Sequence, residues 1–329
     1  MKRILRFTIY SLLFATAAQA QYAPQAGVAG STAVSASGGQ FVDWANGCRI
    51  TRGWMNIANT SLGKVTSGDS SLAIGPANGT IVSLGDSGIA VLTFAKPVIN
   101  GPGADFAVFE NGFANPNNPE EAFLELAFVE VSSDGINYTR FPATSLTQDT
   151  AQIAMAGTYA NARLLNNLGG KYISMYGTPF DLQELAGTAG LDLNHITHVR
   201  LVDVIGDIGA HGSVDASGHK INDPYPTAIP TGGFDLDAVG VINQAATGVE
   251  NIAGGRPVNM YPNPATDRLF VETEHTLTVS LTDVTGKMLG SYTISGKTEI
   301  PVSTLAKGLY YLVIRDANGT QWTERFSKI

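Results

Sequence analysis

From Pro257 to Ile329 the chain reads as a self-contained unit of short strands and tight turns. Leu277, Val279 and Leu281 alternate with Thr278, Ser280 and Thr282. That period of two turns one strand face to a core and the other to water. Asp283 to Lys287 and Asp316 to Gly319 are turn sequences whose glycines accept a positive φ. Pro262 and Pro264 cannot donate to a β-ladder, so the segment around Asn263 is an entry to the unit and not a central strand. The chain therefore closes on a small antiparallel β-sandwich.

The same stretch carries four blocks in order: Tyr261-Pro262-Asn263-Pro264, Asp283-Val284-Thr285-Gly286-Lys287, the strand from Leu305 to Leu312, and the basic close from Arg325 to Ile329. Together they resemble the C-terminal sorting domain of the type IX secretion system of Bacteroidetes. The resemblance implies an Ig-like sandwich that serves as an address, is read by the secretion machinery and is usually cleaved at the surface. It implies a cell-surface or extracellular destination and leaves the activity open.

The beginning of the chain agrees. Lys2, Arg3 and Arg6 accompany an apolar run that reaches Ala17, and Ala18-Gln19-Ala20 has the small-x-small form of a cleavage site. Residues 1–20 read as a signal peptide, too short to span a membrane, and no later segment is long and apolar enough to do so.

Between the two addresses charge is unevenly placed. Residues 21–255 hold nine Lys and Arg against 21 Asp and Glu, a net charge of −12, whereas residues 256–329 hold eight against seven. So acidic a central region excludes nucleic acid and anionic membrane as partners. Cys48 is the lone cysteine, so no internal disulfide is available. Thirty-seven glycines and fifteen prolines signal many turns.

Residues 21–40, poor in large side chains, read as a flexible leader or the start of an edge strand. Residues 41–243 read as one large β domain, and 244–256 as a linker. Gly85-Asp86-Ser87-Gly88 superficially suggests a serine nucleophile. A strand, Ile89 to Phe94, follows it where a nucleophile elbow needs a helix, so a hairpin turn is expected. Phe106 to Glu110, Ala122 to Ser132, Ile196 to Val204 and Phe234 to Ile242 are further strands. Asp181 to Gly187 is a short capped helix. Val129 to Tyr138 is a hairpin with an Asp134-Gly135 turn. It resembles the central hairpin of galactose-binding-like jelly rolls. The blocks from Gly101 to Phe113, Ala127 to Pro142, Ile196 to Asp207, Asn222 to Thr227 and Gly232 to Ile242 are similar to uncharacterised bacterial cell-surface proteins. That resemblance supports fold and location and supplies no catalytic residue.

Candidate chemistry gathers late in this domain. Asp203, Asp207, His211, Asp215, His219 and Asp223 recur every fourth residue, but four intervening glycines make a helix untenable. Asp235 and Asp237 project from one face of a strand about 7 Å apart, where two carboxylates need solvent, an arginine or a cation. Hard oxygen donors on flexible loops suit calcium, with Glu110, Asp203, Asp223, Asp235 and Asp237 as candidate ligands. Arg140, Arg200 or backbone N–H groups are the alternative partners. Trp44, Trp54, Phe113, Tyr176 and Tyr225 are candidate sugar-stacking aromatics. Asp149-Thr150-Ala151 resembles an O-glycosylation sequon. The expected protein is all-β, a galactose-binding-like jelly-roll sandwich over 41–243 followed by the small Ig-like sandwich, and serves as a surface-delivered, non-catalytic glycan-binding or adhesion module with calcium-stabilised loops. The alternatives are a glycan-directed hydrolase using the same carboxylates, or a ligand-capture accessory of an outer-membrane transporter.

Overall fold

The structure is a computed structural model that describes residues 22–155, 158–245, 258–316 and 321–329. The expected signal peptide, most of the expected linker and the tip of the 316–319 turn lie outside the described residues. The chain divides into two compact units, Met1–Ala245 and Ala246–Ile329, a division that falls inside the expected linker.

The first unit is all-β. In chain order its strands are β1 Val34–Ser35, β2 Asp43–Trp44, β3 Gly47–Thr51, β4 Val82–Ser83, β5 Ile89–Val98, β6 Phe106–Glu110, β7 Phe113–Asn115, β8 Asn118–Phe123, β9 Ala127–Ser132, β10 Thr139–Arg140, β11 Thr144–Ser145, β12 Ala160–Asn161, β13 Leu165–Asn166, β14 Leu168–Gly169, β15 Tyr176–Phe180, β16 Ile196–Asp203 and β17 Asp235–Val241. One antiparallel sheet runs β1-β15-β6-β17-β2, with β4 also on β17. A second runs β10-β9-β16-β5-β3, with β14 also on β9. Phe106, Val108, Leu236, Val239 and Val241 from the first sheet meet Leu92, Val129, Val131, Val199 and Leu201 from the second in one buried core. Two sheets packed through such inner faces form a β-sandwich.

Of the two readings of residues 21–40 the structure takes the edge strand: β1 pairs with β15 at one end of the first sheet, Gln25 donates to the Lys171 carbonyl and accepts from the Ile173 N–H, and Thr32 shares a hydrogen bond with the Tyr172 hydroxyl. Three local expectations change. The Gly85–Gly88 turn is no hairpin. β4 before it pairs with β17, while β5 after it pairs with β3 and β16, so the turn carries the chain from one sheet to the other. The strand expected over 122–132 breaks at Leu124–Leu126, because β8 pairs with β7 and β12 whereas β9 pairs with β10, β14 and β16. Asp181 caps Gln183 N as expected, yet Glu184 accepts from Asn167 instead of reaching back, and Leu182–Leu185 is a single 3₁₀ turn. The Asp134-Gly135 hairpin forms as read, with Asp134 Oδ1 accepting from the Ile136 and Asn137 N–H groups.

The second unit has five antiparallel strands: β18 Asn259–Tyr261, β19 Arg268–Asp283, β20 Met288–Pro301, β21 Gly308–Arg315 and β22 Gln321–Lys328. β19 pairs along its length with β20, with a register shift between Thr273 and Leu277. On its other edge it pairs with β18 before that shift and β21 after it. Leu277, Val279 and Leu281 enter its own core with Leu312, Ile314 and Phe326, as the alternation dictates.

The two cores are separate, so Leu236→Ala is expected to destabilise the first unit by about 2–5 kcal/mol through lost burial and a residual cavity. Urea unfolding followed by tryptophan fluorescence checks this. In a Trp322→Phe background the signal comes from Trp44 and Trp54 and should show the lowered midpoint; with only Trp322 retained the midpoint should not move.

Candidate functional site

The strand order collects acidic side chains at one end of the first sandwich. β6 ends at Glu110, opposite Leu236 near the start of β17, which opens with Asp235. β16 ends at Asp203, opposite Ala127 near the start of β9, two residues after Glu125. On β16 Val199 and Leu201 face the core, and Asp203 continues that face. The register of β17 against β6 shifts between Leu236 and Ala238. Leu236 and Val239 both reach the inter-sheet core across that shift, while Ala238 joins a cluster on the other side of the sheet.

Asp86, Glu110, Glu125, Asp203, Asp223, Asp235 and Asp237 are all buried. Burial raises every one of their pKa values, well above the usual carboxylate range for Glu110, Glu125, Asp203 and Asp223, and to about 6 for Asp86 and Asp235. Mutual repulsion adds to burial: Asp235 acts on Glu110 and Glu125, and Asp203 on Asp223. The arginines expected as partners lie elsewhere. Arg140 and Arg200 both bind Glu130, the former at 2.8 Å.

Backbone and side-chain donors satisfy most of these acids. Asp203 accepts from Phe234 N at 2.6 Å and Ser87 N at 3.1 Å. Asp223 accepts from Leu126 N, Asp237 from Asn78 N and Gly79 N, and Asp86 from Ile57 N. Asp235 accepts from the Ser83 hydroxyl and from Asn111 Nδ2. Glu110 Oε2 accepts from Gly112 N at 2.7 Å, but Glu110 Oε1 is buried without a partner. Glu125, 6% exposed, receives no hydrogen bond on its carboxylate from any described residue. Its backbone is fixed by a close approach: a Cβ at Gly170, φ +80°, would lie 1.9 Å from the Glu125 carbonyl oxygen.

Glu125 and Asp235 line a cleft of about 310 Å³ together with Asn111, Phe113, Phe123, Met155, Thr227, Ile229 and Thr231. Phe113 is 55% exposed. Its ring stacks on Phe123 at 5.0 Å and 13° and meets Tyr159 edge-on at 6.4 Å, so the exposed face is held in place.

Of the five aromatics expected to stack on sugars, Phe113 alone lines this cleft. Trp44 packs against Phe41 and Phe109 at 4.6 and 5.5 Å. Trp54 lies under the Lys64 ammonium, Tyr225 is buried and donates to Asn56 Oδ1, and Tyr176 opens β15 opposite Ser35 of β1. Of the five expected calcium ligands, Asp235 lines the cleft, Glu110, Asp203 and Asp223 belong to the buried cluster beside it, and Asp237 is held outside the cleft lining by the Asn78 and Gly79 N–H groups. Among the described residues no three His, Cys, Asp or Glu side chains stand in a metal-holding arrangement. The loop acids have local work: Asp207 accepts from Gly209 N and His211 N, and Asp215 from Ser145, Ser217 and His219 N–H groups. Glu125 escaped the sequence reading; its signal is an acid inside the apolar run Leu124-Glu125-Leu126. Burial pushes the Cys48 thiol up to about 11, which favours the protonated form.

Residues 259–328 match the model of the secretion system C-terminal sorting domain. That domain directs the protein to the cell surface or extracellular space through the type IX machinery. No helix among the described residues is long and apolar enough to cross a membrane. No curated protein matches the chain. Among solved structures, a DUF3244 family protein with an immunoglobulin-like β-sandwich fold from Bacteroides vulgatus is 18% identical over 22% of this chain and 86% of its own, with a TM-score of 0.20. The BSP domain of a biofilm associated protein is 10% identical over 74% of this chain and 48% of its own, with a TM-score of 0.21. A β-glucuronidase from Ruminococcus gnavus is 13% identical over 74% of this chain and 36% of its own, with a TM-score of 0.20. Superpositions this loose carry no argument about function.

The raised carboxyl groups set the sign of the pH dependence. The native state holds their protons more tightly than the unfolded chain, so their contribution to stability is fully present below about pH 4 and is lost as pH rises through the native values. For Asp86 and Asp235 that window runs from about pH 4 to about 6. The thermal midpoint of the first unit should fall between pH 5 and pH 8. Glu110→Gln should flatten that fall, because a buried carboxyl group repelled by Asp235 is replaced by a neutral group of the same shape. A midpoint that rises from pH 5 to pH 8 in the wild type would contradict the assignment.

Proposed function

We propose that this secreted protein is a surface-displayed binding module whose ligand is a glycan held in the cleft between Phe113 and Asp235. The observation that supports the reading is an exposed, rigidly backed aromatic ring beside buried carboxylates in one cleft. A pyranose presents an apolar C–H face and a rim of hydroxyls. The ring serves the first, and Asn111, Thr227, Thr231, Glu125 and Asp235 serve the second. The volume of about 310 Å³ lies at the small end of ligand pockets, fit for one or two sugar units of a longer chain. Calcium belongs to the proposal as an ion recruited with ligand oxygens, and its requirement is read by the same experiment.

A second reading draws on Glu125 and Asp235 sharing the cleft: a raised carboxyl group beside a second carboxylate is the equipment of a glycoside hydrolase. A glycan-array screen of the secreted protein, in calcium and in EDTA, separates these. Binding without product is expected, and Phe113→Ala should weaken it about tenfold, ~1.4 kcal/mol. Loss of binding in EDTA assigns the ion a part. Soluble sugar released by the wild type and not by Glu125→Gln would replace binding with hydrolysis, and silence on every arrayed glycan would remove the glycan reading.

A further inference from the structure

Several features of the cleft bear on what kind of glycan it takes, an inference that rests on the binding reading above. Its floor is anionic and under-satisfied. The Glu125 carboxylate lines the cleft, is more than nine-tenths buried and receives no donor from the described residues. Glu110 Oε1 beside it is also buried and unpartnered. The charged groups that act most strongly on Glu125 are acids: Asp235 from β17, Glu110 from β6, Asp203 from β16 and Asp223 from the loop between β16 and β17. Cations nearby in sequence are engaged elsewhere. Lys171 follows Gly170, which abuts the Glu125 backbone, but its ammonium lies over the Tyr22 and Tyr172 rings at 5.9 and 5.4 Å. Arg163 forms a two-pronged pair with Glu120.

The wall of the cleft points the same way. Phe113 offers the open face of a ring, whose negative quadrupole attracts a cation about as well as a sugar C–H face. A ring face above and a partnerless carboxylate below is a seat for an ammonium group. The cleft is far larger than a bare ion, and no three of its acids converge as metal ligands, so the positive charge fits best as part of a larger molecule.

We propose that the cleft selects glycans that carry free amino groups, seating a sugar ammonium between the Phe113 ring and the Glu125 carboxylate, with Asp235 and Asn111 binding neighbouring hydroxyls. Ammonium binding favours the ionised form of Glu125, which the surrounding acids otherwise disfavour. N-acetylation removes both the charge and the donors, so discrimination against the acetylated sugar follows directly.

Isothermal titration of the full-length secreted protein tests this with three hexamers: β-1,4-linked glucosamine, its N-acetylated counterpart, and β-1,4-linked glucose. The glucosamine hexamer is expected to bind at least tenfold more tightly than the other two. Glu125→Gln, checked for native thermal unfolding, should lose about that tenfold preference, whereas Glu121→Gln on β8 should retain it. Equal binding of all three hexamers by the wild type overturns the amine inference and leaves the glycan reading standing. Binding of none removes both. A preference that survives in Glu125→Gln overturns the assigned seat and marks attraction to the acidic surface in general. Tighter binding of a lysine hexapeptide than of the glucosamine hexamer overturns the sugar as the carrier of the amine. The comparison of hexamers on the wild type stands even if the Glu125 variant does not fold.

Discussion

Burial of several carboxylates at one end of a sandwich, none of them ion-paired with a lysine or arginine among the described residues, is the constraint around which the first unit is built. A buried ionised carboxylate is costly unless it is paired or hydrogen-bonded. The chain meets that demand mainly with backbone. Loop N–H groups at Ile57, Asn78, Gly79, Ser87, Leu126 and Phe234 each point at one of these acids. Segments far apart in sequence are thereby pinned to the same end of the molecule, and the loops there have fixed conformations because carboxylates organise them. The cations available to the sheet are placed elsewhere: Glu130 draws Arg140 and Arg200 onto a single rung of the second sheet. Charge is thus segregated between two regions of one domain, and the acidic end keeps unmet hydrogen-bonding demand at Glu110 Oε1 and at the Glu125 carboxylate.

Much of this was legible in the sequence because strands write their burial in a period of two. Leu277, Val279 and Leu281 specify the core of the second unit, and Val199, Leu201 and Asp203 specify a core face that ends in an acid. The Asp134-Gly135 hairpin follows from turn chemistry alone. What failed did so where pairing partners are remote. Gly85–Gly88 has every local mark of a hairpin turn, but whether the strands on either side pair depends on β17 and β3, which lie far away in sequence. The break between β8 and β9 is likewise set by partners, since Ala122 to Ser132 is locally continuous in β-propensity.

The candidate site was half legible for a related reason. Composition identified the acids of the 203–237 region, and the structure gathers Asp203, Asp223 and Asp235 with Glu110. It could not sort aromatics into walls and core, because Trp44 and Phe113 carry the same chemistry and differ only in what covers them: Phe41 and Phe109 lie against Trp44, while Phe113 leans on Phe123 and leaves its other face open. The fourfold recurrence from Asp203 to Asp223 had no helical meaning. Asp207 and Asp215 turn the loop by accepting N–H groups two and four residues ahead, which is what an Asp in a glycine-rich loop does best.

Glu125 shows why an unmet buried group deserves weight as a sign of function. A chain selected for stability alone would place Leu or Gln there, since an apolar or neutral side chain in the same volume avoids the desolvation cost. Instead the backbone is bent into a break between two strands at Leu124–Leu126, and Gly170 is required opposite, so that a carboxylate reaches the cleft beneath an aromatic ring. Local rules broken together at one place, by an acid in an apolar run, an interrupted strand and a glycine at close approach, are the pattern expected of a functional site rather than of a core. The sorting domain independently directs the protein to the cell surface or extracellular space, so the molecules this cleft can meet are those found there.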